Sequence, residues 1–154
     1  MNNSHIDTIL TPALVSLSEP PQQKRDCIEF LLDLAVEAGR VEDRADALDA
    51  LLAREQETTT GVGKGIGIPH AKTDAVREPT LAFTRSSVGV DFDAMDDEPA
   101  TLIFMILVPE SGADDHLSLL SSLSRALMHD DVREDLHSAS SPKAVCATVR
   151  EAIA

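Results

Sequence analysis

The chain has 154 residues and a mass of 16.5 kDa, enough for one ordinary domain that buries a core without a disulfide or metal staple. Asp and Glu number 27 against 13 Lys and Arg, a net charge of −14, and the only aromatic residues are four Phe. Such a surface repels phosphate backbones and offers no stacking platform, which excludes nucleic acid as a partner.

No apolar run approaches the roughly 18 residues of a membrane span, so no direct membrane insertion is expected. The opening MNNSHIDTIL lacks the basic head and long apolar stretch of a secretory signal, which places the expected location in the cytoplasm. Cys27 and Cys146 stand far apart with no CxxC pair and no His at ligand spacing, and read as buried free thiols. Lys24, Lys64, Lys72 and Lys143 are the only lysines. An acidic, Lys-poor surface suits a salt-rich cytoplasm, where self-repulsion is screened within about 3 Å at 1 M salt; the alternative is an acidic domain with no such adaptation.

In chain order, residues 9–17 alternate weakly around Pro12 and suit an edge strand after a loop. Ser18 followed by Pro20 and Pro21 reads as a helix start, with Cys27, Ile28, Leu31, Leu34, Ala35 and Ala38 on one face and Gly39 as the stop. A second helix is expected over 41–54, with acidic residues near its start. Periodicity then vanishes into the glycine-dense TTTGVGKGIGIPH. Strands are expected at 80–85, 88–92 and, as the central buried one, 101–108, with AMDDEP as the intervening turn. A third long helix follows Gly112, capped by Asp114 or Asp115, with Leu117, Leu120, Leu123, Ala126 and Leu127 on one face. A short helix at 132–136 and a last one opening at Ser141-Pro142 complete the chain. Interspersed strands and helices predict a single α/β domain over 1–154, with a mixed parallel and antiparallel sheet flanked by helices.

The glycine-dense segment is where chemistry is expected. It fails the nucleotide-loop patterns on spacing: Gly63-Lys64 is followed by Gly65, Thr58 stands five before Gly63, and Ile66 occupies the position of the third dinucleotide-fingerprint glycine. What remains is a loop that delivers His70 behind Pro69. The proline fixes its own φ and restrains Ile68, while the glycines let backbone N–H groups approach a ligand, a frame that suits an anion held against His70. Taken alone, a histidine at a strand end is more often a hydrogen-bonded structural residue.

The neighbours change that reading. Arg54-Glu55, Thr60-Gly61-Val62-Gly63, Gly65-Ile66-Gly67-Ile68-Pro69-His70-Ala71-Lys72, Glu78-Pro79, the run Leu102 to Pro109, and His116-Leu117 opening a helix that ends Leu123-Ser124-Arg125-Ala126-Leu127-Met128 together resemble the enzyme IIA domains of the fructose–mannitol class of the sugar phosphotransferase system. The resemblance spans essentially the whole chain. Gly67 stands where Ala is usual and Ala71 where Gly is usual, small-for-small exchanges that touch only local backbone freedom.

The resemblance implies that His70 is phosphorylated, with Arg54 and His116 beside it. It implies a donor, the histidine-containing phosphocarrier protein, and an acceptor, a cysteine of enzyme IIB, with no cofactor and no metal. Fructose uptake is the closest match, on the Leu102 to Glu110 run and the 123–128 helix end. A regulatory, nitrogen-related relative and an idle binding domain are the alternatives, the last disfavoured by the joint presence of Arg54, His70 and His116.

These residue types suit a relay. Neutral imidazole is a nucleophile near pH 7 and its N–P bond remains transferable. A loose phosphoryl transition state needs positioning and fixed positive charge, which the Arg54 guanidinium fork can supply. Alternatively Arg54 is a solvated helix-end residue paired with Glu55 or Glu57. His116 either donates a hydrogen bond to the phosphoryl group at a helix N-terminus or only caps its helix. Thr60, Gly61, Gly63, Ile68 and Pro69 are the phosphate-loop candidates, with Thr58 and Thr59 as further hydroxyls; loop capping is the alternative for the threonines. Lys64 and Lys72 read as surface charges. An apolar patch of Ile66, Ile68, Leu117 and Leu120 around His70 is the expected docking face. If salt adaptation is real, the protein unfolds on dilution into low-salt buffer, followed by circular dichroism; indifference to salt refutes it.

Overall fold

The computed structural model describes the backbone over residues 3–111 and 113–153, and side-chain environments over 6–111 and 117–153. Helix α1 (Asn3–Ile9) leads through a 3-10 turn (Pro12–Leu14) into strand β1 (Val15–Ser16); helices α2 (Lys24–Glu37) and α3 (Arg44–Glu57) follow. Strands β2 (Gly61–Gly63), β3 (Ile66–Gly67), β4 (His70–Lys72), β5 (Thr80–Val90) and β6 (Ala100–Val108) precede helices α4 (Ala113–Ala126), α5 (Asp130–Ser138) and α6 (Pro142–Ile153). The strands form one six-stranded sheet in the order β1-β5-β6-β3-β2, with β4 also paired to β6. Pairing is antiparallel for β5 with β6 and for β2 with β3, and parallel elsewhere. This is the mixed α/β sheet expected.

Strand β6 is the axis. Residues 102–108 are all fully buried, so successive side chains, which point to opposite faces, are covered on both. Helices α2, α4 and α5 pack on it. Phe104 pairs across the antiparallel ladder with Phe83, ring centroids 4.8 Å apart and planes tilted by 50°, one of the favoured aromatic arrangements.

Several local expectations shift. The 9–17 strand shortens to the two residues of β1, at the sheet edge, and the residues before it are helical. Helix α2 starts at Lys24, with Gln23 as an N-cap that makes no side-chain bond. The Ser18–Pro21 segment stays outside because Pro21 disfavours helical geometry at Pro20, and because the Glu19 carboxylate accepts from Ser86 Oγ and from the N–H and Oγ of Ser87. Gly39 does end the helix. At φ +76° it sends its N–H to the Val36 carbonyl while Arg40 N–H reaches Ala35, which satisfies two terminal carbonyls.

Helix α3 begins at Arg44, capped by the Asp43 carboxylate on the Asp46 N–H at 3.1 Å. The two strands expected at 80–85 and 88–92 are one, interrupted by an irregularity between Arg85 and Val90 where Gly89 takes φ +93°. Helix α4 starts at Ala113, before both proposed caps, and buries Leu119, Leu123 and Ala126, with Leu127 buried in the turn that follows, while Leu117 is 68% exposed. Cys27 is buried and Cys146 half-buried, both free thiols.

At Gly39 an added Cβ would meet nothing within 4 Å, so Gly39→Ala isolates the cost of the left-handed backbone. Loss of about 1 kcal/mol is expected, read from urea unfolding at fixed salt.

Candidate phosphoryl-acceptor site

The site begins with register. Ile66 and Gly67 pair with Leu102 and Ile103, and His70, Ala71 and Lys72 pair with Ile106, Leu107 and Val108, in one unbroken parallel alignment along β6. Pro69 lies between them. It has no N–H to give, but its carbonyl accepts from Ile106 N–H at 3.0 Å, so the ladder continues through it. Strand β2 covers β3 on its outer side, whereas β4 lies off that path and is packed instead by α3.

A cavity of about 730 Å³ opens at this step. One face of α3 contributes Ala50, Ala53, Arg54 and Glu57, at spacings of three, one and three, and β4 contributes His70, Ala71 and Lys72; Glu110 also lines it. His70 and Lys72 are two apart on one strand and so project to the same side.

His70 is only 8% exposed. Its Nδ1 lies 2.6 Å from the Ile68 carbonyl oxygen. A carbonyl can only accept, so Nδ1 carries the proton and Nε2 the lone pair. Burial pushes the imidazole below its ordinary pKa and the Arg54 charge adds to that, against the opposing pull of the Ile68 carbonyl and of Glu55. The ring is therefore neutral at pH 7.

Arg54 is half-buried in the last turn of α3, and its Nη1 donates to the Thr58 carbonyl at 3.0 Å. No ion pair to Glu55 or Glu57 forms among the described residues. Glu55 is engaged elsewhere. Its carboxylate accepts from Lys24 Nζ at 3.2 Å, from Thr60 N–H at 2.9 Å and from Thr60 Oγ1 at 2.5 Å.

The structure brings Arg54 and His70 together. His116 falls in the first turn of α4, but its side chain lies outside the described residues. Ile68 and Pro69 are buried and support His70 from its own chain. Thr60 is 2% exposed with its hydroxyl on Glu55, and Thr59 bonds the Phe92 carbonyl and the Gly61 N–H.

Gly61 packs so closely on Phe92 that a Cβ would come within 2.9 Å of it. Gly61 and Gly63 line a separate concavity with Val62, Lys64, Met95 and Asp96. Of the expected docking patch, Ile66 and Ile68 are 1% exposed and belong to the core, because they alternate into a sheet covered on both faces; Leu117 is exposed and Leu120 half-buried.

Sequence reasoning passed over Lys72, Glu57 and Glu110 as parts of this cavity. The two-residue spacing to His70 on an extended segment, and the three-residue spacing of Arg54 and Glu57 on a helix, were the available signals for the first two. Glu110 had none, because only β6 carries it there.

Comparison with known proteins decides the lineage. The family described as the phosphoenolpyruvate-dependent sugar phosphotransferase system, EIIA 2, matches residues 8–152. The chain belongs to that family. It is 63% identical over 153 residues, 99% of each chain, to a protein of Haloferax volcanii named PTS system fructose-specific EIIA component. The nitrogen regulatory protein IIA-Ntr of Neisseria meningitidis superposes with a TM-score of 0.87 at 35% identity, over 94% of this chain and 98% of that one. Enzyme IIA-mannitol of Escherichia coli, solved in complex with phosphorylated IIB-mannitol, does so at 0.79 and 26% identity, over 92% and 97%. As an EIIA component this chain is a phosphotransferase that relays phosphate between proteins.

Because burial depresses the His70 pKa, the second proton, which makes the imidazolium, is taken up below the ordinary value of 6.5. The neutral-ring contribution to folding is therefore fully present above pH 6.5 and is lost as pH falls through the depressed native value. A ¹⁵N-edited titration should place the His70 midpoint below 6.5, and phosphate acceptance should stay level above that pH and fall beneath it.

Proposed function

We propose that His70 Nε2 is the phosphoryl acceptor of this EIIA. Its lone pair forms the N–P bond as the bond to a phosphohistidine of the histidine-containing phosphocarrier protein breaks. The phosphoryl group then leaves to a cysteine thiolate of an enzyme IIB, whose S–P bond forms as the N–P bond breaks. The observation that carries this reading is the Nδ1 contact to the Ile68 carbonyl, which reserves Nε2 as the nucleophilic nitrogen inside a cavity that also holds Arg54. Arg54 stabilises the charge spread over the equatorial oxygens in transfer. His116, in the first turn of α4, adds a hydrogen bond where helix N–H groups favour an anion.

Thr60, Gly61 and Gly63 act on the phosphate indirectly, by shaping the strand that leads to Ile68 and Pro69. The sugar served is fructose, supported by the 63% identity over nearly the full length to a fructose-specific EIIA. A cytoplasmic site of action is part of this reading; no helix among the described residues is long and apolar enough to cross a membrane. The second reading, a regulatory protein of the nitrogen-related type, draws on the 0.87 TM-score to IIA-Ntr, at roughly half the sequence identity.

Incubation with phosphoenolpyruvate and the general phosphotransferase components should give an acid-labile, alkali-stable phosphate on the wild type and none on His70→Ala. Arg54→Ala should slow transfer about 10²-fold or more with folding intact, and His116→Ala should slow it less. A cognate IIB that accepts the phosphate supports transport; phosphorylation without any such acceptor supports regulation.

A further inference from the structure

We propose that Glu55 is a positioning residue for phosphoryl transfer, acting on His70 through Thr60 and Ile68. This deepens the proposed role of His70 and rests on it. Glu55 has a side chain only 8% exposed, and a carboxylate so deeply placed persists only when its oxygens are fully engaged. Its partners are Lys24 Nζ and both donors of Thr60, the backbone N–H and the hydroxyl.

Thr60 is thereby held from two sides. Its carbonyl accepts from the Ile68 N–H at 2.9 Å. The carbonyl of Ile68 then accepts the Nδ1 proton of His70 at 2.6 Å. Three successive hydrogen-bonded links join a buried anion in α3 to the nitrogen whose protonation decides which face of the imidazole attacks. Lys24, which neutralises Glu55, is itself fixed by Asp93 at 3.0 Å and lies 5.7 Å from the Phe92 ring centroid, the ring against which Gly67 packs.

The arrangement solves a local problem. Residues 58–65 carry one large apolar side chain, the exposed Val62, so packing of side chains does little to hold the stretch that leads to Ile66 and Ile68. A carboxylate that takes two donors from one residue sets both the position and the orientation of Thr60, and strand pairing transmits that to Ile68. Arg54 is the covalent neighbour of Glu55, so the same helix turn that anchors the strand also places the cation in the cavity. The bonds of the Glu55 carboxylate go to Lys24 and Thr60; beside the pull of its charge on the imidazole, it works by geometry.

The test compares Glu55→Ala, Glu55→Gln and Thr60→Val, each read by His70 ring ¹⁵N shifts in the unphosphorylated protein and by the phosphorylation rate. Gln can accept from the Thr60 N–H and donate to its hydroxyl, so it keeps the geometry without the charge. Expected are a wild-type Nδ1–H signature and a rate within ~3-fold for Gln. For Ala, a mixed tautomer signature and a rate lower by about 10²-fold are expected, the effect of a misplaced reacting atom.

Thr60→Val keeps the Lys24–Glu55 pair and removes one of two bonds; a shifted Nδ1 resonance and a ~10-fold loss are expected, and this variant decides if Glu55→Ala does not fold. A wild-type rate and signature in Ala, or in Val where Ala does not fold, overturns the proposal. So does a slow Ala variant with an unaltered His70 signature, or a Gln variant as slow as Ala. If the wild type takes no phosphate, the function proposed for His70 falls, while the ¹⁵N comparison still decides the role of Glu55.

Discussion

The role proposed for His70 depends on a hydrogen bond spanning two residues, from its Nδ1–H to the Ile68 carbonyl at 2.6 Å. Imidazole has two nitrogens of similar basicity, and a relay needs one of them reserved as the nucleophile. A side chain reaching back to its own backbone two residues earlier accomplishes this only if the intervening residue is rigid. Pro69 supplies that rigidity through its ring, and its carbonyl ties the turn to Ile106.

Burial of the ring works to the same end. A histidine held at 8% exposure resists protonation, and the nearby guanidinium of Arg54 opposes it further. Both effects favour the neutral ring, and the Arg54 charge that discourages the imidazolium is also of the sign that a phosphoryl group requires. In the proposed relay one cation thus favours the neutral imidazole before transfer and the anion during it.

Charge around the cavity differs from that of the whole chain. The net charge is −14, yet the lining pairs Arg54 and Lys72 with Glu57 and Glu110, a local balance that leaves a phosphorylated donor without strong repulsion at the point of transfer. Surface ion pairs elsewhere, such as Arg44 with Asp33 and Glu29, are exposed and contribute little individually. Stability rests instead on the sheet, whose central strand has no exposed residue between Leu102 and Val108.

The amino-acid pattern by itself determined the class of fold and the central strand, and it singled out His70 as the residue proposed to carry the chemistry. A fully apolar seven-residue run bounded by turn residues reads as a strand covered on both faces, and His70 stands out by the family pattern around it, since a histidine at a strand end is by itself more often structural. It also determined the Gly39 stop, since a left-handed residue is needed there and glycine adopts it freely. Helix starts were less legible: Ser18 with two prolines looks like a cap, but Glu19 binds Ser86 and Ser87 on a strand distant in sequence, and no local signal announces such a contact. The same limit applies to Glu55, whose partners Lys24 and Thr60 meet only when α2, α3 and the loop after α3 converge. Ile66 and Ile68, apolar beside the histidine, could serve equally as docking surface or core until the sheet placed them inside. Periodicity records which face of an element is apolar; what that face meets, and which polar groups are drawn into its neighbourhood, depends on contacts between residues far apart in the chain.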